Sequence, residues 1–208
     1  MAKVHPTTAA LELPRLTDCC SIGDDAGRKD EGAVLTVWRK SLLFSCNGFT
    51  VFDAKGNLVF RVDNYGSGST GEVVLMDAAG KPLLTVRRKK LSLGENWMIY
   101  NGEDTANPVY SVKKHVSLLH SKAAARARVA PCRGRGRGAG AAGYEVEGSY
   151  SRRTCTVYDE QRREVAEIRQ KEAVGGVAFG GDVYRLVVRS HADTSLAMAV
   201  VVVLDQMF

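Results

Sequence analysis

Basic residues supply the clearest candidate chemistry in this sequence of 208 residues. Clustered guanidinium and ammonium groups bind phosphate oxygens and attract anionic lipid head groups. Two clusters each follow an apolar run, and we expect them to share one head-group site. The alternative is an ordinary solvated strand end, whose charges alternate between the two faces. The first cluster is Arg87, Arg88, Lys89 and Lys90, and the second is Lys113 and Lys114.

A third group of cations lies in the sequence RGRGRG, at Arg133, Arg135 and Arg137. Short Arg/Gly tracts bind RNA or other anionic surfaces through flexible charge. No aromatic residue interleaves with these arginines, which disfavours nucleic acid and favours a low-complexity loop. The chain has 29 basic and 23 acidic residues, and the six cations from Lys122 to Arg137 equal the whole excess. The basic balance therefore belongs to one segment.

Patterns for catalysis and metal binding are missing from the sequence. It contains no HExxH, GxSxG or Walker motif. Its five cysteines form no CxxC pair, which disfavours a zinc site or a disulfide framework and fits a reducing compartment. The pair Cys19 and Cys20 could accept palmitate, or these residues are plain exposed thiols. We therefore predict that the protein is not an enzyme and uses no cofactor.

Four hairpins organise the body of the chain. Each joins two apolar runs rich in Val, Ile, Phe and Tyr through an Asp or Asn and a few turn residues, a pattern typical of antiparallel strands. We interpret Asp53, Asp77 and Asp159 as turn formers. Segments 35–42 and 182–190 are two further strand candidates. The hairpins span residues 49–62, 73–86, 97–112 and 155–168.

The segment 196–204 is apolar at every position. A membrane-spanning helix needs about 20 apolar residues, so this shorter run predicts a buried element and no transmembrane segment. Asp193 or Thr194 would cap a helix that starts here, whereas the β-branched residues at 200–203 leave a buried strand open. We favour a helix threaded through a β-barrel.

Several motifs in this chain resemble the plant LURP-one-related family. They are FRVDNY at 60–65, LMDAAGKPL at 75–83 and VVVLDQ at 201–206, and the match runs in order from about residue 33 to 208. That family is similar in fold to the Tubby C-terminal domain and to phospholipid scramblases. The resemblance implies an all-β fold, a closed antiparallel barrel of about twelve strands around a central hydrophobic C-terminal helix.

The resemblance also divides the chain. We expect a flexible leader at 1–32 and the barrel domain at 33–208. At about 121–143 the chain departs from the family pattern, and we interpret KAAARARVAPCRGRGRGAGAAG as an Arg/Gly/Ala-rich loop insertion between strands. We expect a monomer that is not secreted and is cytoplasmic, peripheral to a membrane or nuclear.

The resemblance implies no catalytic mechanism, and it implies a link to plant defence. Relatives by fold bind phosphoinositide head groups, and Tubby has been viewed as a membrane-tethered transcription factor. We predict an adaptor that binds phosphoinositides or a membrane surface in defence or stress signalling. The alternatives are a transcription-linked or nucleic-acid-associated protein that uses the Arg-rich insertion, and a protein-interaction barrel with no lipid ligand. A scramblase-like transporter is disfavoured by the single short apolar segment.

Overall fold

The hairpins join into one closed antiparallel barrel. The computed structural model describes residues 31–42, 47–64, 71–90, 92, 94–104, 106–115, 127–132, 142–172 and 180–208. Within these residues, one helix follows the strands. The elements are β1 (Glu31–Trp38), β2 (Asn47–Phe52), β3 (Leu58–Asn64), β4 (Glu72–Asp77), β5 (Pro82–Arg88), β6 (Asn96–Asn101), β7 (Pro108–Lys114), β8 (Ala127–Pro131), β9 (Tyr144–Ser149), β10 (Thr154–Asp159), β11 (Glu164–Gln170), β12 (Val183–Arg189) and α1 (Thr194–Met207).

Each strand pairs with its neighbours in the sequence, and β1 pairs with β12 to close the barrel. The closing register places Val34 opposite Val187 and Trp38 opposite Val183. The four predicted hairpins are β2–β3, β4–β5, β6–β7 and β10–β11, and all four are confirmed. Full closure leaves no unpaired strand edge, which explains how successive hairpins form a stable unit.

Alternation along the strands places one face inside the barrel. Val51 on β2 pairs with Phe60 on β3, and Val62 on β3 pairs with Leu75 on β4. All four side chains are buried, as expected when register partners face the same side of the wall. Burying a large aliphatic side chain contributes about 1.5–3 kcal/mol, so the inner faces of the strands dominate stability.

Aspartate side chains close the hairpin turns. Asp53 Oδ1 accepts hydrogen bonds of 2.8 Å from the main-chain N–H groups of Lys55 and Asn57. Asp159 Oδ1 accepts equivalent bonds from Gln161 and Arg163. Such side-chain bonds to the backbone stabilise a tight turn. The prediction that these aspartates form turns is confirmed, and Asp77 has the same role through Lys81 N–H.

Helix α1 fills the barrel. Asp193 caps its first turn by accepting from the N–H groups of Ser195 and Leu196, so the predicted helix and cap are confirmed. The helix is apolar on every side because strands surround it. No helix among the described residues is long and apolar enough to cross a membrane. The buried residues of α1 are Leu196, Met198, Ala199, Val200, Val201, Val202, Val203, Leu204 and Met207.

The prediction of a loop at 121–143 is wrong for residues 127–131. Residues 127–131 form the barrel strand β8, which pairs with β7 and β9. Ala127 and Val129 face the core at 0% exposure, and Arg128 points outward to Glu145. Inward and outward side chains alternate over residues 127–131, so this segment can pair with β7 and β9 and bury its inward face. The flanking residues 121–126 and 133–141, like most of the expected leader at 1–30, lie outside the described residues.

Candidate functional site

The two ends of the barrel carry different side chains. Odd-numbered strands end at one mouth and even-numbered strands end at the other, since every pairing is antiparallel. The aspartate turns of the confirmed hairpins all lie at one mouth, together with the start of α1. The opposite mouth holds the end of α1, because Lys114 Nζ lies 2.8 Å from Met207 O and Arg39 Nε lies 2.9 Å from Asp205 Oδ1.

Strands β5, β6 and β7 bring the two predicted cation clusters to that second mouth. Lys89 N–H donates to Asn96 O at 2.8 Å, and Asn96 is the register partner of Lys113 on the next strand. Arg88, the last residue of β5, lies opposite Trp97. Neighbouring strands lie about 4.8 Å apart, so residues 88–90 and Lys113 occupy adjacent strand ends at this mouth.

Two of the predicted ligand-binding cations are occupied within the protein. Arg87 Nε lies 2.8 Å from Glu72 Oε2, and its guanidinium carbon lies 5.5 Å from the centre of the Tyr100 ring. Lys114 Nζ lies 3.1 Å from Glu95 Oε2 in addition to its bond with the end of α1. These two cations hold strands and helix together, and they are less available to a ligand than their neighbours.

Exposed cations without acidic partners surround the mouth at the end of α1. None of them forms an ion pair with a carboxylate of the described residues. Exposed Glu172 and Asp182 also lie at this mouth, after β11 and before β12, across the barrel from β5 and β6. We call this mouth the basic end. Its exposed cations are Lys40, Arg88, Lys89, Lys90, Lys113 and Arg152.

Apolar side chains are exposed at the same end. Trp38 ends β1, Leu42 follows it, and Phe208 follows α1, with exposed fractions of 43%, 51% and 49%. Among the described residues, no other large hydrophobic side chain is exposed. The sequence reasoning missed them because their exposure depends on where the strands and the helix end. The Phe208 ring lies 4.4 Å from Lys114 Nζ.

A buried polar cluster underlies the basic end. Arg153 is 7% exposed, and its guanidinium lies 4.2 Å and 4.3 Å from the ring centres of Tyr150 and Tyr184. Its Nε donates to Gly181 O at 2.9 Å. The Tyr150 hydroxyl donates to Asp205 Oδ1 at 3.2 Å, which ties the strand wall to the last turn of α1. Sequence reasoning missed this cluster, since its members lie on separate elements.

Burial changes the acid–base behaviour of the two tyrosines. Removal from water, followed by the nearby Asp205 carboxylate as the second cause, raises the pKa of Tyr150 to about 12. Burial also raises the pKa of Tyr184, and the neighbouring Tyr150 is the second cause. Both hydroxyls therefore stay neutral at physiological pH and serve as hydrogen-bonding groups.

A shallow groove of about 330 Å³ lies along β8, β9 and β10 on the barrel wall. Its cations are already paired: Arg128 lies 3.4 Å from Glu145, and Arg162 lies 2.7 Å from Glu147. The groove therefore lacks the unpaired cations of the basic end. The predicted nucleic-acid residues Arg133, Arg135 and Arg137, and the pair Cys19 and Cys20, lie outside the described residues.

Comparison with known sequences identifies the family. The family model described as LURP-one-related matches residues 33–205. The chain belongs to the LURP-one-related family. Protein LURP-one-related 8 of Arabidopsis thaliana is 46% identical over 211 residues, which cover 100% of this chain and 98% of that protein. Protein LURP-one-related 17 of the same plant is 42% identical, over 84% of this chain and 82% of that protein.

A solved structure shares the fold of this chain. The X-ray structure of a protein from Arabidopsis thaliana matches this chain with a TM-score of 0.56 and 22% identity. The match covers 84% of this chain and 90% of that chain. At that identity the likeness concerns the fold alone, which agrees with the family membership.

Proposed function

We propose that this LURP-one-related chain is a non-enzymatic adaptor that binds phosphoinositide head groups on membranes. The proposal assigns head-group binding to Arg88, Lys89, Lys90 and Lys113. One observation carries it: these four cations lie on neighbouring strands at one mouth, exposed and without a carboxylate partner among the described residues. A role in plant defence or stress signalling is part of the proposal and rests on the family resemblance.

The chemistry of the ligand follows from the chemistry of the cations. A phosphoinositide head group carries several phosphates, and each phosphate accepts charge-assisted hydrogen bonds from guanidinium and ammonium groups. Each Lys or Arg near an anionic membrane surface contributes about 1 kcal/mol. Four such residues therefore provide about 4 kcal/mol, a dissociation constant of about 1 mM, before any specific contact forms.

Arg87 and Lys114 support the site without binding the ligand themselves. Arg87 holds β5 to β4 through Glu72, and Lys114 holds β7 to α1 through Met207 O. Both contacts keep the ends of β5 and β7 in place. The exposed cations beside them therefore start from a fixed backbone, which reduces the entropy lost on binding.

Vesicle flotation tests the proposal. The full chain is mixed with vesicles of neutral phospholipid, with and without a phosphoinositide, at low and near-physiological salt. We expect flotation only with phosphoinositide, persisting at the higher salt. The combined variant Arg88→Gln, Lys89→Gln, Lys90→Gln and Lys113→Gln should lose flotation while its circular dichroism spectrum is unchanged.

A matched control removes charge from the other mouth. Lys55 and Lys81 are exposed in the aspartate turns of the β2–β3 and β4–β5 hairpins. The variant Lys55→Gln with Lys81→Gln should float like the parent chain. Equal recovery of the parent with neutral and phosphoinositide vesicles would contradict the proposal, and a protein-interaction barrel with no lipid ligand would then be the better hypothesis.

A further inference from the structure

We propose that the barrel meets an anionic membrane end-on, with Trp38, Leu42 and Phe208 inserted among the lipid head groups. This inference rests on the proposed function and adds the orientation and the apolar contacts. The partner is an anionic bilayer surface, and the docking surface is the basic end.

The exposed apolar residues coincide with the unpaired cations. Trp38 comes directly before Arg39, whose Nε bonds to Asp205 in the last turn of α1, and Phe208 follows three residues after Asp205. Leu42 follows Ser41, whose hydroxyl donates to Asp63 Oδ1 at 2.6 Å near the end of β3. Leu42 and Phe208 therefore belong to the rim that also carries the cations. Trp38 lies on the outer wall beside this rim, with its ring centre 6.0 Å from that of Phe52.

This combination matches a membrane interface. Tryptophan is enriched at the level of the head groups, and exposed Leu and Phe enter the boundary between head groups and acyl chains. Cations around such residues add attraction to anionic lipids. A soluble protein partner would also cover apolar residues, but a ring of unpaired lysines is depleted from the centres of protein interfaces.

The arrangement of cations around the mouth favours an end-on approach. Lys40 follows β1, Arg88 ends β5, Lys113 lies on β7 and Arg152 lies between β9 and β10. In the closed strand order these positions are spread around the circumference. Only an approach along the barrel axis places all of them against one flat surface.

The aspartate turns at the other mouth reinforce this orientation. The turn aspartates are balanced by Lys55, Lys81 and Arg163 in the same turns, but Glu103, Asp104 and Asp193 are also exposed at this mouth. An anionic surface repels these carboxylates. The barrel therefore has a charge difference along its axis. In the field of an anionic membrane the chain turns its basic end toward the lipid before contact.

The end of α1 would oppose this orientation if it were uncompensated. A helix carries partial negative charge at its C-terminal end, which an anionic surface disfavours. Lys114 donates to Met207 O in the last turn of α1 and brings a positive charge to that position. This bond offsets part of the negative charge at the helix end, and Lys114 shares its own charge with Glu95.

The two tryptophans of the chain allow a direct test. Trp38 is 43% exposed at the basic end, whereas Trp97 is 4% exposed inside the wall. The full chain is added to phosphoinositide vesicles with brominated acyl chains, and tryptophan fluorescence is measured beside flotation. We expect quenching of the parent chain, and at least a severalfold smaller quenching for the variant Trp38→Phe, whose remaining tryptophan is buried.

Flotation without quenching, or equal quenching of the parent and Trp38→Phe, would overturn the insertion and leave the proposed function intact. Absence of flotation would overturn both. Leu42→Ser and Phe208→Ser provide a second measurement that needs no fluorescence. Each should weaken vesicle binding about tenfold, which corresponds to the loss of about 1.4 kcal/mol of apolar burial. Unchanged binding of both variants would also overturn the insertion.

Discussion

The ammonium group of Lys114 donates a 2.8 Å hydrogen bond to the main-chain carbonyl of Met207, 93 residues further along the chain. The bond joins the end of β7 to the last turn of α1. A positive side chain at this position satisfies a carbonyl that the helix leaves unpaired and offsets the negative end of the helix dipole. Strand wall and central helix are therefore connected by charge as well as by apolar packing.

Replacing Lys114 with methionine should destabilise the fold by about 1–2 kcal/mol, because the helix end loses a charge-assisted hydrogen bond. Urea unfolding followed by circular dichroism measures the change. Lys113→Met is the matched control, since Lys113 is exposed on the same strand and should change stability by less than about 0.5 kcal/mol. Equal losses in the two variants would show that the bond to Met207 contributes nothing.

Leu204→Ala should cost about 2–5 kcal/mol, because Leu204 is fully buried on α1 and its truncation leaves a cavity between helix and wall. Gln206 lies two residues away on the same helix and is exposed. Gln206→Ala should therefore change the free energy of unfolding by less than about 0.5 kcal/mol. Chemical denaturation of both variants distinguishes a core helix from one that lies loosely in the barrel.

The raised pKa of Tyr150 predicts that the folded chain loses stability at alkaline pH. This pKa is about 12 in the folded chain against an ordinary value of 10.0. The folded state holds the proton more tightly, so the contribution of Tyr150 is complete below about pH 10 and is lost as the pH rises toward about 12. The full difference corresponds to about 2–3 kcal/mol.

Urea unfolding of the parent and of Tyr150→Phe at about pH 9 and about pH 11 tests this linkage. The parent should lose about 1 kcal/mol more than the variant between these two pH values. Tyr184 remains in both chains, so its own titration affects both measurements. Parallel loss in the two chains would mean that Tyr150 ionises as readily in the folded as in the unfolded state.

Two glycines with positive φ should respond differently to alanine. Gly148 on β9 has φ of 98°, and an added Cβ would lie 2.0 Å from Thr154 O on β10. Gly56 has φ of 83°, but a Cβ there meets no atom within 4 Å. We expect Gly56→Ala to cost about 1–2 kcal/mol from backbone strain alone and Gly148→Ala on the order of 3 kcal/mol or more. Thermal unfolding of the two variants compares them, and similar costs would contradict the close approach of β9 and β10.

The hairpins could be predicted because their information is local. Each turn aspartate bonds to backbone groups two to four residues later, and the flanking strands alternate in the same short stretch. Strand β8 was missed because its partners β7 and β9 lie across long connections. Five residues within an Arg/Gly/Ala-rich segment carry too little alternation to indicate a strand.

The candidate site was predictable only in its position. Residues 87–90 and 113–114 each follow the second strand of a predicted hairpin, and such ends share one mouth of an antiparallel barrel. Their individual states depend on register. Glu72 is the register partner of Arg87. Glu95 lies directly before β6 and pairs with Lys114 on the adjacent strand β7. Sequence spacing alone indicates neither contact.

The central position of α1 also determines the order in which this fold can be assembled. All twelve strands of the described residues precede the helix in the chain, yet they bury their inner faces against it. Strand β1 can close the wall only after β12 has been made. Contacts between segments so far apart in sequence slow folding, because the chain must close long loops before those contacts form. During synthesis, the growing chain therefore exposes its apolar strand faces until the helix segment has emerged, an interval in which chaperones would protect it.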